Sequence, residues 1–262
     1  MRSAVVFAAY IDDAAYFPMF DKNMEIFRSE MRECRFYVGI NPCRQQDAII
    51  ARFERAGLDF QARIVPDALA LQTDASAYQA ALSLLRADGA DCDLVWFSHT
   101  KGATSRTYGD LSAQLIELYL KSETVRDFFM SHAQHGLYAT SGTVYPKKRG
   151  LIEKYCAMRY PCLLLTPLYS CYVLRGNLVR FFLRHCVEEF FTQRLPSGHF
   201  FEFDFPQIAF QQGYLPYVQQ VVQVHHAELA TVKSTEKNYY AVLRKWITTN
   251  RINDASSPCR VL

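Results

Sequence analysis

The stretch LVWFSHTKG at residues 94–102 joins a short apolar run directly to a polar turn. Residues 94–98 have the near-continuous apolar character of a strand that is buried in a parallel sheet. His99, Thr100 and Lys101 follow this strand, and Gly102 allows the backbone to approach a ligand closely. Imidazole, hydroxyl and ammonium groups suit a phosphate or diphosphate. We therefore predict a phosphate-binding turn at a strand end, the alternative being a polar turn with incidental charges.

Strand and helix patterns alternate along the chain before this turn. We predict strands over residues 4–10, 34–40 and 60–65, and helices over residues 21–31, 47–56 and 74–86, the last with Thr73 or Asp74 as N-cap. Such a rhythm favours an α/β fold with a mainly parallel sheet flanked by helices.

The second half of the chain is less regular. We predict helices over residues 111–120, 122–132, 177–194 and 205–212, and strands over residues 136–144, 162–166, 169–174 and 217–224. No repeat or flexible linker divides the chain, so a single domain over residues 1–262 is expected.

Composition and missing motifs exclude several classes of protein. The 262 residues are 50% hydrophobic with a net charge of +3, which is globular composition with too little charge to indicate nucleic-acid binding. The eight cysteines form no Cys-x-x-Cys pair, and we expect them to be reduced thiols in a cytoplasmic protein. The sequence also lacks the P-loop, Gly-x-Gly-x-x-Gly and Gly-x-Ser-x-Gly motifs. Their absence disfavours a P-loop kinase, a dehydrogenase and an ordinary α/β-hydrolase.

The predicted sheet brings three polar segments to one edge. Residues 10–13, 41–44 and 99–101 each follow a predicted parallel strand. Because ligands of open α/β sheets bind beyond the carboxyl ends of the strands, we expect the active centre there.

Two segments carry a resemblance to a known group of enzymes. Residues 95–102, VWFSHTKG, and residues 201–209, FEFDFPQIA, followed by GYLP at 213–216, resemble bacterial and viral polysaccharide-building glycosyltransferases that contain an HTKG segment. The strand pattern over residues 4–101 is similar to the nucleotide-sugar half of the GT-A fold. The resemblance implies a nucleotide-sugar-binding half at about 1–105 and an acceptor-side half at about 106–262.

The resemblance also implies the donor site. It places Tyr10, Asp12 and Asn41 near the nucleobase and ribose, the alternative for them being ordinary strand-end turn chemistry. It places His99, Thr100, Lys101 and Gly102 at the diphosphate and His226 near the phosphates. Thr73 and Asp74 are added because they open a predicted helix, and a helix N-terminus suits phosphate. Residues 98–101, SHTK, occupy the place where GT-A enzymes usually carry a metal-binding Asp-x-Asp. We therefore expect no cofactor, because cationic side chains can stabilise the departing diphosphate, although Mn²⁺ or Mg²⁺ stays an alternative.

The resemblance places the carboxylate that activates the acceptor near residues 201–209. Glu202 and Asp204 are both candidates for the catalytic base, and the alternative for Asp204 is to cap the following helix. His132 and His135 are read as structural, because no third metal ligand accompanies them.

The predicted function is a hexosyl- or pentosyl-transferase that moves a sugar from a nucleotide sugar to a glycan or lipid-linked glycan acceptor. No stretch is long and apolar enough to span a bilayer, and attachment at the inner membrane face stays open. The alternatives are a nucleotidyl or phosphoryl transferase using the same cationic turn, and a non-catalytic sugar-binding module.

Overall fold

The computed structural model describes residues 1–70, 74–100, 122–146, 151–156, 163–167, 170–196, 198 and 200–221. The strands are β1 (Ser3–Ala9), β2 (Arg35–Ile40), β3 (Phe60–Ile64), β4 (Leu94–His99), β5 (His135–Pro146), β6 (Leu163–Pro167), β7 (Tyr172–Arg175) and β8 (Leu215–Val221). The helices are α1 (Phe17–Glu30), α2 (Gln46–Ala56), α3 (Ala75–Asp88), α4 (Ser122–Ser131), α5 (Leu151–Cys156), α6 (Gly176–His185), α7 (Glu189–Thr192) and α8 (Ile208–Gln211). Single turns of 3-10 helix lie at Ala14–Tyr16, Asp67–Leu69 and Phe205–Gln207, and a turn of π-helix at Phe200–Asp204.

Eight strands form one mixed sheet within the described ranges. The order is β3-β2-β1-β4-β7-β5-β6, and β8 also pairs with β5. Strands β1 to β4 pair in parallel, as do β5 and β8, whereas β7 is antiparallel to both β4 and β5 and β6 is antiparallel to β5. The predicted α/β fold class, a mainly parallel sheet flanked by helices with a less regular second half, is confirmed.

Alternating side chains of the central strands supply two hydrophobic cores, one on each face of the sheet. All of β1 is buried: Val6 and Ala8 belong to one core, and Phe7 and Ala9 belong to the other. Helix α3 covers the first core, while α1 and α2 cover the second. Burial on both faces explains why β1 and β4 read as continuous apolar runs.

Gly39 in β2 sets the distance between the sheet and α3. A Cβ atom at this position would lie 1.8 Å from the backbone carbonyl oxygen of Ala77 in α3. Only glycine therefore permits the observed approach of the helix, which carries Asp74, Ser76 and Tyr78 to the carboxyl edge of the sheet.

The prediction of one helix over residues 177–194 is wrong. Helix α6 ends at His185, its C-cap Cys186 has an extended ψ of 131°, and α7 begins at Glu189. The break allows Phe182 and Phe190 to pack edge to face, with ring centroids 5.1 Å apart. Tertiary packing of buried aromatic rings thus interrupts a segment with continuous helical periodicity.

Other differences concern boundaries. Strand β4 extends to His99, β7 begins at Tyr172 and not at residue 169, and β8 begins at Leu215. The helix predicted over 205–212 begins as a 3-10 turn that contains Pro206, and continues as α8.

The predicted helix over 111–120 lies outside the described residues. No helix in the described part of the chain is long and apolar enough to cross a membrane.

Candidate functional site

The three predicted segments meet at the carboxyl edge of the parallel strands. The Asn41 N–H donates to the carbonyl of Ala9 at 2.9 Å, and the Thr100 N–H donates to the carbonyl of Ala8 at 3.0 Å. Hydrogen bonding beyond the ends of β2 and β4 therefore holds both segments against the end of β1. The structure brings together Tyr10, Asn41 and Thr100, as the parallel topology predicts.

Thr100 fastens the ends of β1 and β4 with its side chain. Its hydroxyl donates to the carbonyl of Tyr10 at 2.9 Å and accepts from the N–H of Tyr10 at 2.9 Å. The residue is only 7% exposed. A threonine hydroxyl has one proton, and here the Tyr10 carbonyl accepts it. The hydroxyl can therefore bind a ligand only as a hydrogen-bond acceptor.

Asn41 connects the end of β2 to the start of α3. Its side-chain carbonyl accepts from the Ser76 hydroxyl at 2.8 Å, and the residue is 4% exposed. This contact fixes the first turn of α3 beside the strand ends.

Tyr10 and Asp12 lie on the segment that leaves β1. Partial burial, together with the charge of Asp12, raises the pKa of the Tyr10 phenol, which therefore stays protonated at neutral pH. The Asp12 carboxylate accepts from the backbone N–H of Arg44 at 3.2 Å, and its side chain is 43% exposed. A half-buried phenol and an accessible carboxylate are groups that can contact a nucleobase and a ribose.

His99 occupies the end of β4 and contacts two residues of the α3 region. Its Nδ1 lies 3.7 Å from a carboxylate oxygen of Asp74 and 3.4 Å from the hydroxyl of Tyr78. Asp74 stands at the N-cap position of α3, but its side chain makes no capping hydrogen bond. The carboxylate is placed to stabilise a positive charge on the His99 ring, which suits a group that binds phosphate.

Glu202 and Asp204 lie in the π-helical turn Phe200–Asp204. Glu202 is half-buried, whereas Asp204 is 1% exposed and precedes the 3-10 turn without making a side-chain cap. A base must reach the acceptor hydroxyl, so the difference in exposure favours Glu202 over Asp204 for this role.

Tyr172 connects this turn to the His99 side of the site. Its hydroxyl donates to the carbonyl of Phe201 at 2.9 Å. Complete burial raises the pKa of Tyr172 far above its ordinary value, and the negative charges of Asp74 and Glu202 raise it further. Tyr78, whose hydroxyl lies 3.4 Å from Nδ1 of His99, packs on Phe201, so the turn that carries Glu202 lies on the same side of the site.

Tyr78 and Ser170 complete this arrangement, and sequence reasoning missed them together with Tyr172. The Tyr78 hydroxyl donates to the carbonyl of Ser170 at 3.0 Å. Among the described non-glycine residues, Ser170 is the one with a positive φ, at 52°. A left-handed backbone conformation at a non-glycine residue costs free energy, and such residues cluster at functional sites. No local sequence pattern predicts where they occur.

Aromatic rings form the floor of the site. Phe97 stacks on Tyr172, with centroids 4.9 Å apart and planes inclined by 22°. Tyr78 packs on Phe201 at 5.0 Å, and Phe97 packs on Phe205 at 5.3 Å. This close-packed layer restricts the positions of the polar groups above it.

Four predicted site residues, Thr73, Lys101, Gly102 and His226, lie outside the described residues. Within the described ranges, no three His, Cys, Asp or Glu side chains are arranged to hold a metal ion. A cavity of about 330 Å³ lies at the opposite, amino edge of the sheet, between Ser3, Tyr37 and Asp88, and none of the predicted site residues lines it.

Comparisons with known proteins give similarity at the level of solved structures. No family model matches the chain, and no curated protein matches it. Glucosyl-3-phosphoglycerate synthase from Mycobacterium tuberculosis, solved with UDP, is 15% identical, with a TM-score of 0.44 over 95% of this chain and 78% of the other. A complex of that synthase with Mn²⁺, UDP and glucosyl-3-phosphoglycerate is 12% identical, with a TM-score of 0.38 over 95% and 78% of the two chains.

A nucleotidyl transferase from Methanothermobacter thermautotroptrophicus is 12% identical, with a TM-score of 0.36 over 95% of this chain and 99% of the other. All three TM-scores lie below 0.5, so these similarities assign neither a family nor an activity. The function of the chain has to be inferred from the site itself.

Proposed function

We propose that this chain is a GT-A-like glycosyltransferase that transfers a hexosyl or pentosyl group from a nucleotide sugar to a glycan or lipid-linked glycan acceptor. The observation that supports this proposal best is that Tyr78 contacts both His99 and Phe201, the residue before Glu202, so that two groups with complementary roles are linked through one side chain. His99 lies at the carboxyl end of β4, with Asp74 beside its Nδ1. Glu202 comes directly after Phe201, whose backbone carbonyl accepts a hydrogen bond from Tyr172. A cationic group for the leaving phosphate and a carboxylate for the acceptor hydroxyl are what a direct glycosyl transfer requires.

In the proposed reaction, the acceptor oxygen forms a bond to the anomeric carbon of the donor. The bond between that carbon and the diphosphate oxygen breaks, and the nucleoside diphosphate leaves with the electron pair. Glu202 takes the proton of the acceptor hydroxyl, while His99 and Lys101 stabilise the negative charge of the departing diphosphate. A single displacement of this kind inverts the configuration at the anomeric carbon.

The donor side of the proposed site follows the strand ends. Tyr10 and Asp12 contact the nucleobase and ribose, and Asn41 holds α3 in place through Ser76. Thr100 fastens β1 to β4, so its part in donor binding is to shape the turn. The proposal extends to Thr73 at the start of α3, to the backbone of Gly102, and to His226 near the phosphates.

The proposed transfer does not use a metal ion. The support for this part of the proposal is that the chain has Ser98, His99 and Lys101 where the resemblance leads one to expect an acidic pair. Turnover that persists in excess chelator is the expected result, and loss of turnover on chelation would contradict this part of the proposal.

The first experiment measures sugar release or transfer by the purified protein over a panel of nucleotide sugars. We expect turnover with one donor and a thermal shift with the corresponding nucleoside diphosphate. Glu202→Gln should abolish most of this turnover, while Glu188→Gln serves as the matched control. Glu188 is also a carboxylate, but it lies on the surface in an ion pair with Arg86, at 2.7 Å.

The products separate the proposed reaction from its alternatives. A glycosyltransferase releases a nucleoside diphosphate, whereas a nucleotidyl transferase that uses a nucleoside triphosphate releases diphosphate. A sugar-binding module would show a thermal shift with no turnover. Absence of both turnover and thermal shift with every nucleotide tested would reject the proposed function.

A further inference from the structure

The site contains two fully buried tyrosines, one in contact with His99 and the other hydrogen-bonded to the turn that carries Glu202. Tyr78 lies on α3 and Tyr172 on β7, and both are 0% exposed. We propose that Tyr78 and Tyr172, with the backbone carbonyls of Ser170 and Phe201, form a tyrosine bridge that positions His99 and Glu202 relative to each other. This inference rests on the proposed function, and it assigns positioning roles to residues that do not contact the substrate.

The first half of the bridge acts on His99. The Tyr78 hydroxyl donates its one proton to the carbonyl of Ser170, so it can only accept at its 3.4 Å contact with Nδ1 of His99. Nδ1 therefore carries a proton, and the charge of the ring changes at Nε2. The carboxylate of Asp74, 3.7 Å from Nδ1, supports the same assignment. Tyr78 and Asp74 together favour this tautomer, and Tyr78 also orients the His99 ring.

The second half of the bridge acts on the turn that contains Glu202. The Tyr172 hydroxyl donates to the carbonyl of Phe201, the residue immediately before Glu202. A single π-helical turn has few hydrogen bonds of its own, so an external donor contributes strongly to its position. The raised pKa of Tyr172 keeps this donor protonated over the whole working pH range.

The two halves are joined through backbone and ring contacts. Ser170 and Tyr172 are separated by one residue, so the acceptor of the first half and the donor of the second move together. Tyr78 also packs on Phe201, with ring centroids 5.0 Å apart. A displacement of either tyrosine therefore changes the distance between His99 and Glu202, and general-base chemistry is sensitive to such displacements.

The test compares Tyr78→Phe and Tyr172→Phe with Tyr37→Phe. Tyr37 is also a 0% exposed tyrosine whose hydroxyl donates a hydrogen bond, but its partner Asp88 lies at the opposite edge of the sheet. We expect each bridge variant to lower kcat at least about tenfold with a donor KM within about threefold of wild type. We expect Tyr37→Phe to lower the melting temperature by a similar amount with kcat unchanged.

Two spectroscopic readouts follow the bridge directly. The ring nitrogen shifts of His99 should show a protonated Nδ1 in the wild type and a mixture of tautomers in Tyr78→Phe. Backbone amide exchange over residues 201–204 should accelerate in Tyr172→Phe and not in Tyr37→Phe. An unprotonated Nδ1 in the wild type, or unchanged exchange in Tyr172→Phe, would overturn the corresponding half of the bridge.

The kinetic outcomes separate the bridge from the proposed function. A wild type that turns over nucleotide sugars while both bridge variants keep full kcat overturns the bridge alone. A wild type without turnover on any nucleotide sugar overturns the proposed function, and with it the positioning role of the tyrosines. A fall in kcat at constant donor KM, confined to the bridge variants, supports both.

Discussion

Gly39→Ala tests whether the close approach of α3 to β2 keeps the site assembled. The added methyl would lie 1.8 Å from the Ala77 carbonyl oxygen, 2.6 Å from its carbon and 3.0 Å from its Cα. All three are backbone atoms, so no side-chain rotation relieves the clash. Reaching ordinary contact at 3.4 Å needs a relative displacement of about 1.6 Å, the difference between 3.4 and 1.8 Å.

The expected cost has a stability component and a functional component. Overpacking against a rigid backbone costs about 3 kcal/mol of unfolding free energy, which corresponds to a decrease of about 6–12 °C in Tm for a chain of this size. Because α3 begins beside Asp74 and carries Ser76 and Tyr78, its displacement also separates these residues from Asn41 and His99. We expect loss of the thermal shift with nucleoside diphosphate at temperatures where the variant is still folded.

The assay is urea denaturation combined with nucleotide titration. Gly89→Asn is the matched control, because Gly89 is the C-cap of the same helix with φ of 62°, and a Cβ added there would meet no atom within 4 Å. Asparagine tolerates left-handed backbone, so this control should stay within about 1 kcal/mol of wild type. If Gly39→Ala unfolds within about 0.5 kcal/mol of wild type and still binds nucleotide, the helix position does not depend on the close approach.

Three further predictions concern single groups. Thr100→Val removes the two hydrogen bonds that fasten β1 to β4 and should lower the unfolding free energy in urea by about 1–3 kcal/mol; an unchanged value would contradict that fastening. Glu202→Gln should lower kcat by about 10²- to 10⁴-fold in steady-state kinetics, while Asp204→Asn should mainly lower Tm; the reverse order would assign the base to Asp204. Burial and two nearby positive charges lower the pKa of His135 to about 4, below the 6.5 of an exposed histidine, so the unfolded chain binds more protons between these values. Unfolding free energy should therefore fall as the pH drops from 6.5 towards 4, and His135→Gln should weaken this dependence; an identical pH profile for the variant would contradict the assignment.

The first hundred residues show how much of the fold could be predicted from the sequence. The apolar runs of β1 and β4 identify strands because both of their faces are buried, so burial leaves a continuous local signal. The convergence of Tyr10, Asn41 and Thr100 follows from parallel pairing alone. The segment over 177–194 could not be predicted in the same way, since packing between Phe182 and Phe190 ends α6 early.

In the candidate site, too, some residues could be predicted from local sequence signals, whereas others depend on tertiary contacts. His99 follows a predicted strand and Asp74 opens a predicted helix, so their positions make them candidates, whereas Glu202 is a candidate because of the family resemblance of residues 201–209. Tyr78 and Tyr172 read as ordinary core aromatics, and nothing local distinguishes a tyrosine that positions a catalytic group from one that fills space. Their hydrogen bonds reach partners 92 and 29 residues away along the chain, at Ser170 and Phe201.

The sequence by itself determined the strand-helix order of the first hundred residues, their parallel pairing and the polar segments at the carboxyl edge, because each depends on periodicity or composition within one short segment. Only the tertiary structure decided that the side chain of Asp74, at the N-cap position of α3, lies beside His99 and makes no capping hydrogen bond. It also decided that the Thr100 hydroxyl bonds to the backbone of Tyr10, and that Tyr172 donates to the carbonyl of Phe201, just before Glu202. These contacts join segments that are far apart in the chain. Their geometry depends on how closely the elements pack, and a single missing Cβ at Gly39 controls that distance for α3.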